Sequence, residues 1–178
     1  MIAEFMLQRT RAEQVEPIYK RFINRYPTVV SLSKAKTKDV AQFTKHLGMH
    51  WRAKHFIAAA KFIIKEYTGR IPSNREKLLA IPGVGEYVAG AILTVAFQKP
   101  EWVTDSNIAR FLNRYHGLGL QGEIRRKKMI VELSKQFFHH RNPRKLLFSI
   151  LDFTALVCLP RNPLCQSCPL KRKCKYPK

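Results

Sequence analysis

The segment Ile81-Pro82-Gly83-Val84-Gly85 constrains this chain more than any other. Two glycines around one small apolar residue permit a hairpin that bulkier residues would block. Lys77 to Ala80 reads as the end of one helix, and Glu86 to Phe97 as the start of the next. A hairpin between two helices turns amides outward beside a helix N-terminus, where they can hold a phosphate. Pro82, Gly83, Val84 and Gly85 are therefore candidate phosphate contacts. Beyond that helix stands one carboxylate, Asp105, in Thr-Asp-Ser-Asn. A lone Asp downstream of a phosphate clamp suggests chemistry on a bound nucleotide. Two plainer readings stand beside this one. The hairpin can be an ordinary helix–helix turn, and Asp before Ser-Asn-Ile is a good helix N-cap.

Charge narrows the partner. The chain has 178 residues, with 33 Lys and Arg against 12 Asp and Glu, a net charge of +21. That excess exceeds what solubility needs and implies a polyanion. A nucleic acid fits best; a generally cationic surface is the plain alternative. An anionic membrane fits less well, because the amphipathic stretches carry Glu and read as core-packed. Hydrophobic residues make up 46% of the chain, enough for a packed core in one domain or two small lobes. No run of roughly 18 apolar residues occurs, so no membrane span is expected. The N-terminal residues lack the basic-then-apolar order of a secretory signal. The expected location is the cytoplasm, with the nucleoid, or the nucleus in a eukaryote.

All four cysteines sit near the C-terminal end: Cys158, Cys165, Cys168 and Cys174, spaced C-x6-C-x2-C-x5-C. Thiolates confined to one short loop can close around one metal centre. Zinc usually takes two short C-x2-C knuckles, and only one is present. A [4Fe–4S] cube is wider and suits the longer outer gaps better. Zinc and two disulfides stay open on spacing alone, although disulfides suit exported chains. No flavin or nicotinamide fingerprint accompanies the cysteines, so a structural or DNA-docking role is favoured over electron transfer. Arg161, Lys171, Arg172 and Lys173 lie between the cysteines and are candidate phosphate contacts.

The remaining pattern is helical, and no sheet is expected. Ala53, Phe56, Ile57, Ala60, Ile63, Ile64 and Tyr67 form one apolar stripe, closed by Gly69. Leu7 to Ile23 suggests a helical pair interrupted around Pro17. Ile124, Ile130, Leu133 and Phe137 mark another helix. Leu146 to Ala155 marks a last long one, running into Cys158. The run Arg125-Arg126-Lys127-Lys128 reads first as a solvated helix face and second as an extension of a DNA footprint.

Helix–hairpin–helix, a downstream Asp and C-x6-C-x2-C-x5-C, in that order, together resemble the endonuclease III / MutY superfamily of DNA glycosylases. The likeness runs from Ile2 to Cys174. It implies an all-α, two-lobed fold: a six-helix-barrel lobe with the hairpin, and a helical lobe carrying a [4Fe–4S] cluster. Residues 1–20 would start the cluster lobe, 21–110 form the barrel lobe and 111–178 complete the cluster lobe. It implies a monomer acting on double-stranded DNA with a mismatched or damaged base, which is flipped for excision. Asp105 falls at the family's catalytic Asp. Tyr87 falls where endonuclease III has its Schiff-base Lys. Glu4 matches a Glu of the MutY and mismatch branches. Gln8 falls where members insert a Gln into the gap left by the flipped base. Met49 and His50 lie in a loop that often supplies a second wedge. The plainer readings are packing for Tyr87 and a solvated helix face for Glu4.

A Tyr cannot form an imine with the sugar, so the likeness implies a monofunctional glycosylase. The segment around Leu151 to Pro163 resembles the Mig-type thymine-DNA mismatch branch, implying thymine or uracil opposite guanine. An adenine glycosylase acting opposite guanine or 8-oxoguanine is the alternative, and a non-catalytic lesion-binding module the further one. Family members usually begin earlier, with a helix packed into the cluster lobe. Here the chain is expected to be a truncation, to have a start assigned late, or to fill the gap with another element, and loss of that helix would expose apolar surface.

Overall fold

The computed structural model describes residues 1–8, 10–48 and 52–176. Met49 and His50 lie outside the described residues. All regular structure among those described is helical, and no described helix is long and apolar enough to cross a membrane. The chain forms two compact units, Met1–Ala89 and a second that begins at Gly90. The lobe boundaries expected at 20 and 110 are a different division.

The first unit holds α1 (Ile2–Leu7), α2 (Ala12–Arg25), α3 (Val29–Ser33), α4 (Thr37–Lys45), α5 (Ala53–Tyr67) and α6 (Arg75–Leu79). It also holds the start of α7 (Glu86–Val95). Its core gathers rings around Phe22, whose centroid lies 5.5 Å from Phe43 and 5.9 Å from Phe56. Phe5 brings α1 onto Phe56 at 5.3 Å. Phe22 and Phe56 are almost wholly buried, so truncating either to Ala would cost about 3–5 kcal/mol. Side chains fix two short helices. Thr28 and Ser31 form a capping box on α3, and Asn74 accepts from Lys77 N at the start of α6.

The second unit holds the rest of α7, then α8 (Ser106–His116), α9 (Lys128–Phe138) and α10 (Pro143–Leu156). Phe111 on α8 joins all three later helices, with ring centroids 5.7 Å from both Phe137 and Phe153. The buried Ser134 hydroxyl donates to Val103 O at 3.0 Å, tying α9 to the strap before α8. Asn142 caps α10, with Pro143 in its first turn, where a missing N–H costs nothing.

Three local expectations need correction. Helix α2 runs unbroken through Pro17, and the N-terminal pair parts after Leu7 instead. Proline removes one hydrogen bond, but Val15, Ile18 and Phe22 bury one continuous face that holds the helix together. Ile124 precedes α9 rather than joining it. Arg125 and Arg126 therefore lie in a turn, with Lys127 as the N-cap and Lys128 in the first turn. The stripe over α5 holds as expected, but its left-handed C-cap is Thr68 at φ 51°, one residue before Gly69.

Candidate active site and thiol cluster

The hairpin forms where the sequence puts it. Ile81 N donates to Leu78 O at 3.1 Å and Val84 N to Ile81 O at 3.0 Å, closing successive turns. Ile81 and Val84 are buried, which anchors the loop by its apolar residues and leaves Gly83 and Gly85 exposed. Gly83 takes φ 84°, a left-handed conformation, and a Cβ there would stand 3.3 Å from His55 Cβ. Gly85 has no such φ and faces open space, so it is not required by the fold but leaves room for a close ligand. Arg75 spans the hairpin, pairing with Glu86 Oε2 at 2.9 Å. Tyr87 lies in the first turn of α7, half-buried.

Glu4 sits in the first turn of α1. Its Oε2 is buried and has no hydrogen-bond partner among the described residues. Burial pushes the carboxyl pKa up, and the charge of the Met1 amine partly opposes that. Gln8 ends α1. Its Oε1 accepts from Arg52 Nη1 at 2.7 Å. Gln8 and Arg52 line an open cavity with Phe5, His55, Phe56 and the hairpin's Gly83. The structure thus brings Gln8 and Gly83, far apart in sequence, to one concavity of the first unit.

Asp105 belongs to the second unit and is the N-cap of α8. Its Oδ1 accepts from Asn107 N at 2.9 Å and Ile108 N at 2.7 Å. Its Oδ2 accepts from Asn107 Nδ2 at 2.9 Å. All three donors belong to the first turn of α8, so the carboxylate is fixed in place. The carboxylate does cap α8, and among the described residues Oδ2 has one donor, Asn107 Nδ2.

From Asn107 a chain of hydrogen bonds runs along α8. Arg110 Nη1 donates to Asn107 Oδ1 at 2.9 Å. The same guanidinium donates to Thr154 O at 3.1 Å and to Cys158 O at 2.9 Å. These are carbonyls at the C-terminus of α10, which has no further helical turn to satisfy them. One helical turn on, Arg114 donates to Leu159 O at 2.6 Å and Pro160 O at 3.0 Å, and reaches Cys158 Sγ at 3.6 Å. Sequence reasoning missed Asn107, Arg110 and Arg114. The available signal was the pair of arginines four residues apart on one helix face.

The four cysteines come together. Cys158, Cys165, Cys168 and Cys174 are free thiols, each half-buried, and all line one cavity. Phe111, Phe153 and Leu170 form apolar walls, with Arg114 at the side. As placed, no three His, Cys, Asp or Glu among the described residues stand close enough to grip a single ion. The loop is built from short turns, Cys168 N to Cys165 O at 3.3 Å and Cys174 N to Leu170 O at 3.0 Å. Arg161, Arg172 and Lys173 are exposed on it. Lys171 is half-buried, with Nζ donating to Gln166 Oε1 at 2.6 Å.

Comparison with known proteins places the chain in a family. The chain is 36% identical to a thymine-DNA glycosylase of Aeropyrum pernix, over 99% of its own length and 81% of the relative's. It is 32% identical to a thymine/uracil-DNA glycosylase of Methanothermobacter thermautotrophicus, over 99% and 80%. The solved structure of a thermostable thymine-DNA glycosylase superposes with a TM-score of 0.91 at 32% identity, covering 98% of this chain and 81% of that one. The model of the HhH-GPD superfamily base excision DNA repair protein matches residues 2–138, and the chain belongs to that family.

Proposed function

We propose that this DNA glycosylase hydrolyses the N-glycosidic bond of thymine or uracil opposite guanine in duplex DNA, as a monomer, and leaves the abasic strand intact. One observation carries the reading: a carboxylate, Asp105, fixed by three hydrogen bonds at the start of α8. Cleavage of the bond builds positive charge on the deoxyribose. A carboxylate already held in place stabilises that charge more than it stabilises the neutral substrate, and needs no reorganisation. Oδ2 is the oxygen suited to orient or deprotonate the incoming water.

Glu4 protonates the leaving base. Its burial supports that role, because a raised pKa keeps the proton on the carboxyl nearer neutral pH. Tyr87 has no amine, so water is the final nucleophile and no β-elimination follows. The hairpin of Pro82, Gly83, Val84 and Gly85 grips a phosphate, and Gln8 fills the gap left by the flipped base. Met49 and His50 belong to the same reading as a second wedge. Relatives that act on thymine and uracil, similar over nearly the whole chain, support the choice of base.

The four thiols fit a [4Fe–4S] cluster. They line one largely apolar cavity, and such a cluster is ligated by four Cys thiolates. When bound it would cross-link the loop and hold Arg161, Lys171, Arg172 and Lys173 toward a backbone. Arg110 and Arg114 on α8 hold the start of the loop, where α10 runs into Cys158.

The test is single-turnover base release from duplexes carrying T·G, U·G, A·G and A·8-oxoguanine, with and without alkali. Release from T·G and U·G, with strand breaks only after alkali, is the expected result. Release from the adenine pairs moves the substrate to adenine. Breaks without alkali overturn the monofunctional reading, and no release from any duplex leaves a binding module.

A further inference from the structure

Gly117 and Gly119 share a backbone conformation, φ 63°, yet their surroundings differ. A Cβ on Gly119 would meet nothing within 4 Å. A Cβ on Gly117 would stand 2.8 Å from Lys175 Cβ and 3.4 Å from Lys175 O. Helix capping explains the left-handed φ of Gly117, since Gly117 N donates to Arg114 O and Leu118 N to Asn113 O, closing α8. It does not explain the crowding.

We propose that Gly117 is a positioning residue for the thiol cluster: its missing side chain lets residues 174–176 strap across the C-terminus of α8, which seats Cys174. This rests on the reading that the thiols hold an iron–sulfur cluster. Each residue of the strap leans on the last turn of α8. Cys174 Sγ lies 3.8 Å from Arg114 O. Lys175 N donates to Tyr115 O at 3.1 Å, satisfying a carbonyl that the helix end leaves open. The Tyr176 ring lies 4.6 Å under the Arg114 guanidinium. The positive charge of Lys175 suits a helix C-terminus as well.

The strap has no slack at Gly117. The atom a Cβ would strike is Lys175 Cβ, which is fixed to the strap's backbone and is not the movable end of a side chain. Gly117→Ala must therefore push residues 174–176 outward. Cys158 is held by different contacts, through Arg110 and Arg114 to its carbonyl and its neighbours'. The substitution is thus aimed at the fourth thiol and spares the first.

Four variants of the full chain test this: Gly117→Ala, Gly119→Ala, Lys175→Gly and the double variant Gly117→Ala/Lys175→Gly. Each is reconstituted with iron and sulfide without oxygen, and loss of the visible absorption to a chelator is timed. Gly117→Ala is expected to lose iron about tenfold faster, the factor that 1.4 kcal/mol of lost docking produces. Gly119→Ala bears the same φ strain without the clash and should match the wild type. Lys175→Gly removes the struck Cβ, so the double variant should recover.

In metal-free protein, Cys174 should be alkylated by iodoacetamide faster in Gly117→Ala than in the wild type, read by peptide mass. Equal iron loss in Gly117→Ala and Gly119→Ala, or no recovery in the double variant, overturns the proposal. If Gly117→Ala fails to fold, Lys175→Pro deletes the N–H to Tyr115 O without touching α8, and the same loss of iron and exposure of Cys174 is required of it. A colourless wild type would refute the cluster instead, and the alkylation rates alone would then decide the strap.

Discussion

Arg52 decides which way the Gln8 amide points. A guanidinium carries donors only, so the bond of 2.7 Å from Arg52 Nη1 must be accepted by Gln8 Oε1. The amide's other end, Nε2, is then the group left to meet a ligand in the cavity both residues line. On the proposed reading, in which Gln8 enters the duplex, this end is a donor and suits a base with a carbonyl rather than an amino group.

Arg52→Met should therefore relax base preference. Duplexes with an abasic analogue opposite guanine, hypoxanthine, 2-aminopurine or adenine isolate contacts to the opposing base, because no target base remains to pair with it. The wild type should favour guanine and hypoxanthine by about fivefold, the worth of one neutral hydrogen bond of ~1 kcal/mol. The variant should bind all four more weakly, having lost a charge, and with nearly equal affinity. An unchanged ratio in Arg52→Met would show that Gln8 does not read this base.

Asp105 caps α8 and is the proposed catalytic carboxylate, and two substitutions separate these roles. Asparagine caps a helix as well as aspartate does, whereas alanine does not. Asp105→Asn should leave stability near that of the wild type and remove most turnover while duplex binding persists. Asp105→Ala should lose turnover to the same extent and also about 1 kcal/mol of stability, read by urea denaturation. Turnover retained in Asp105→Asn would assign Asp105 to capping alone.

What the sequence could show follows from the range of each signal. The hairpin was legible because Pro82, Gly83 and Gly85 punctuate it locally, and the stripe from Ala53 to Tyr67 because one face of a helix repeats. The gathering of four thiols was legible from their spacing within one short loop. Arg110 and Arg114 were not, because they bind carbonyls 44 to 48 residues away, and a main-chain acceptor leaves no mark in the sequence. The bond of Arg52 to Gln8, 44 residues apart, was hidden for a related reason. Either side chain alone reads as surface. Pro17 misled because burial of the α2 face outweighs one missing hydrogen bond.

Glu4 ties stability to pH. Its pKa is raised in the fold by burial, so the folded chain holds this proton over a range where the unfolded chain releases it. The contribution is fully present below the ordinary carboxylate pKa and is lost as pH rises through the folded value. Glu4→Gln cannot ionise and escapes that loss. At neutral pH the variant should be the more stable protein, and the two unfolding curves should converge as the pH is lowered below the ordinary Glu range. The same variant should lose base release, since it has no proton to give. A stability difference that does not vary with pH would remove the buried carboxyl as its cause.

Arg161, Arg172 and Lys173 project from the thiol loop and are exposed. If they meet phosphates, each contact displaces condensed counterions, and the logarithm of affinity falls linearly with the logarithm of salt concentration. Replacing one such residue by alanine should flatten that slope by about 1 and weaken binding equally on matched and mismatched duplexes. Glu132 and Lys135 pair across an exposed turn of α9 in the same unit, at 2.8 Å, which makes Lys135→Ala a useful contrast. That substitution also removes one positive charge, but from a residue already bonded to a carboxylate. If net charge alone governed binding, Lys135→Ala would flatten the slope as much as Lys173→Ala does. A larger change for Arg161, Arg172 and Lys173 than for Lys135 is the result expected of direct phosphate contact.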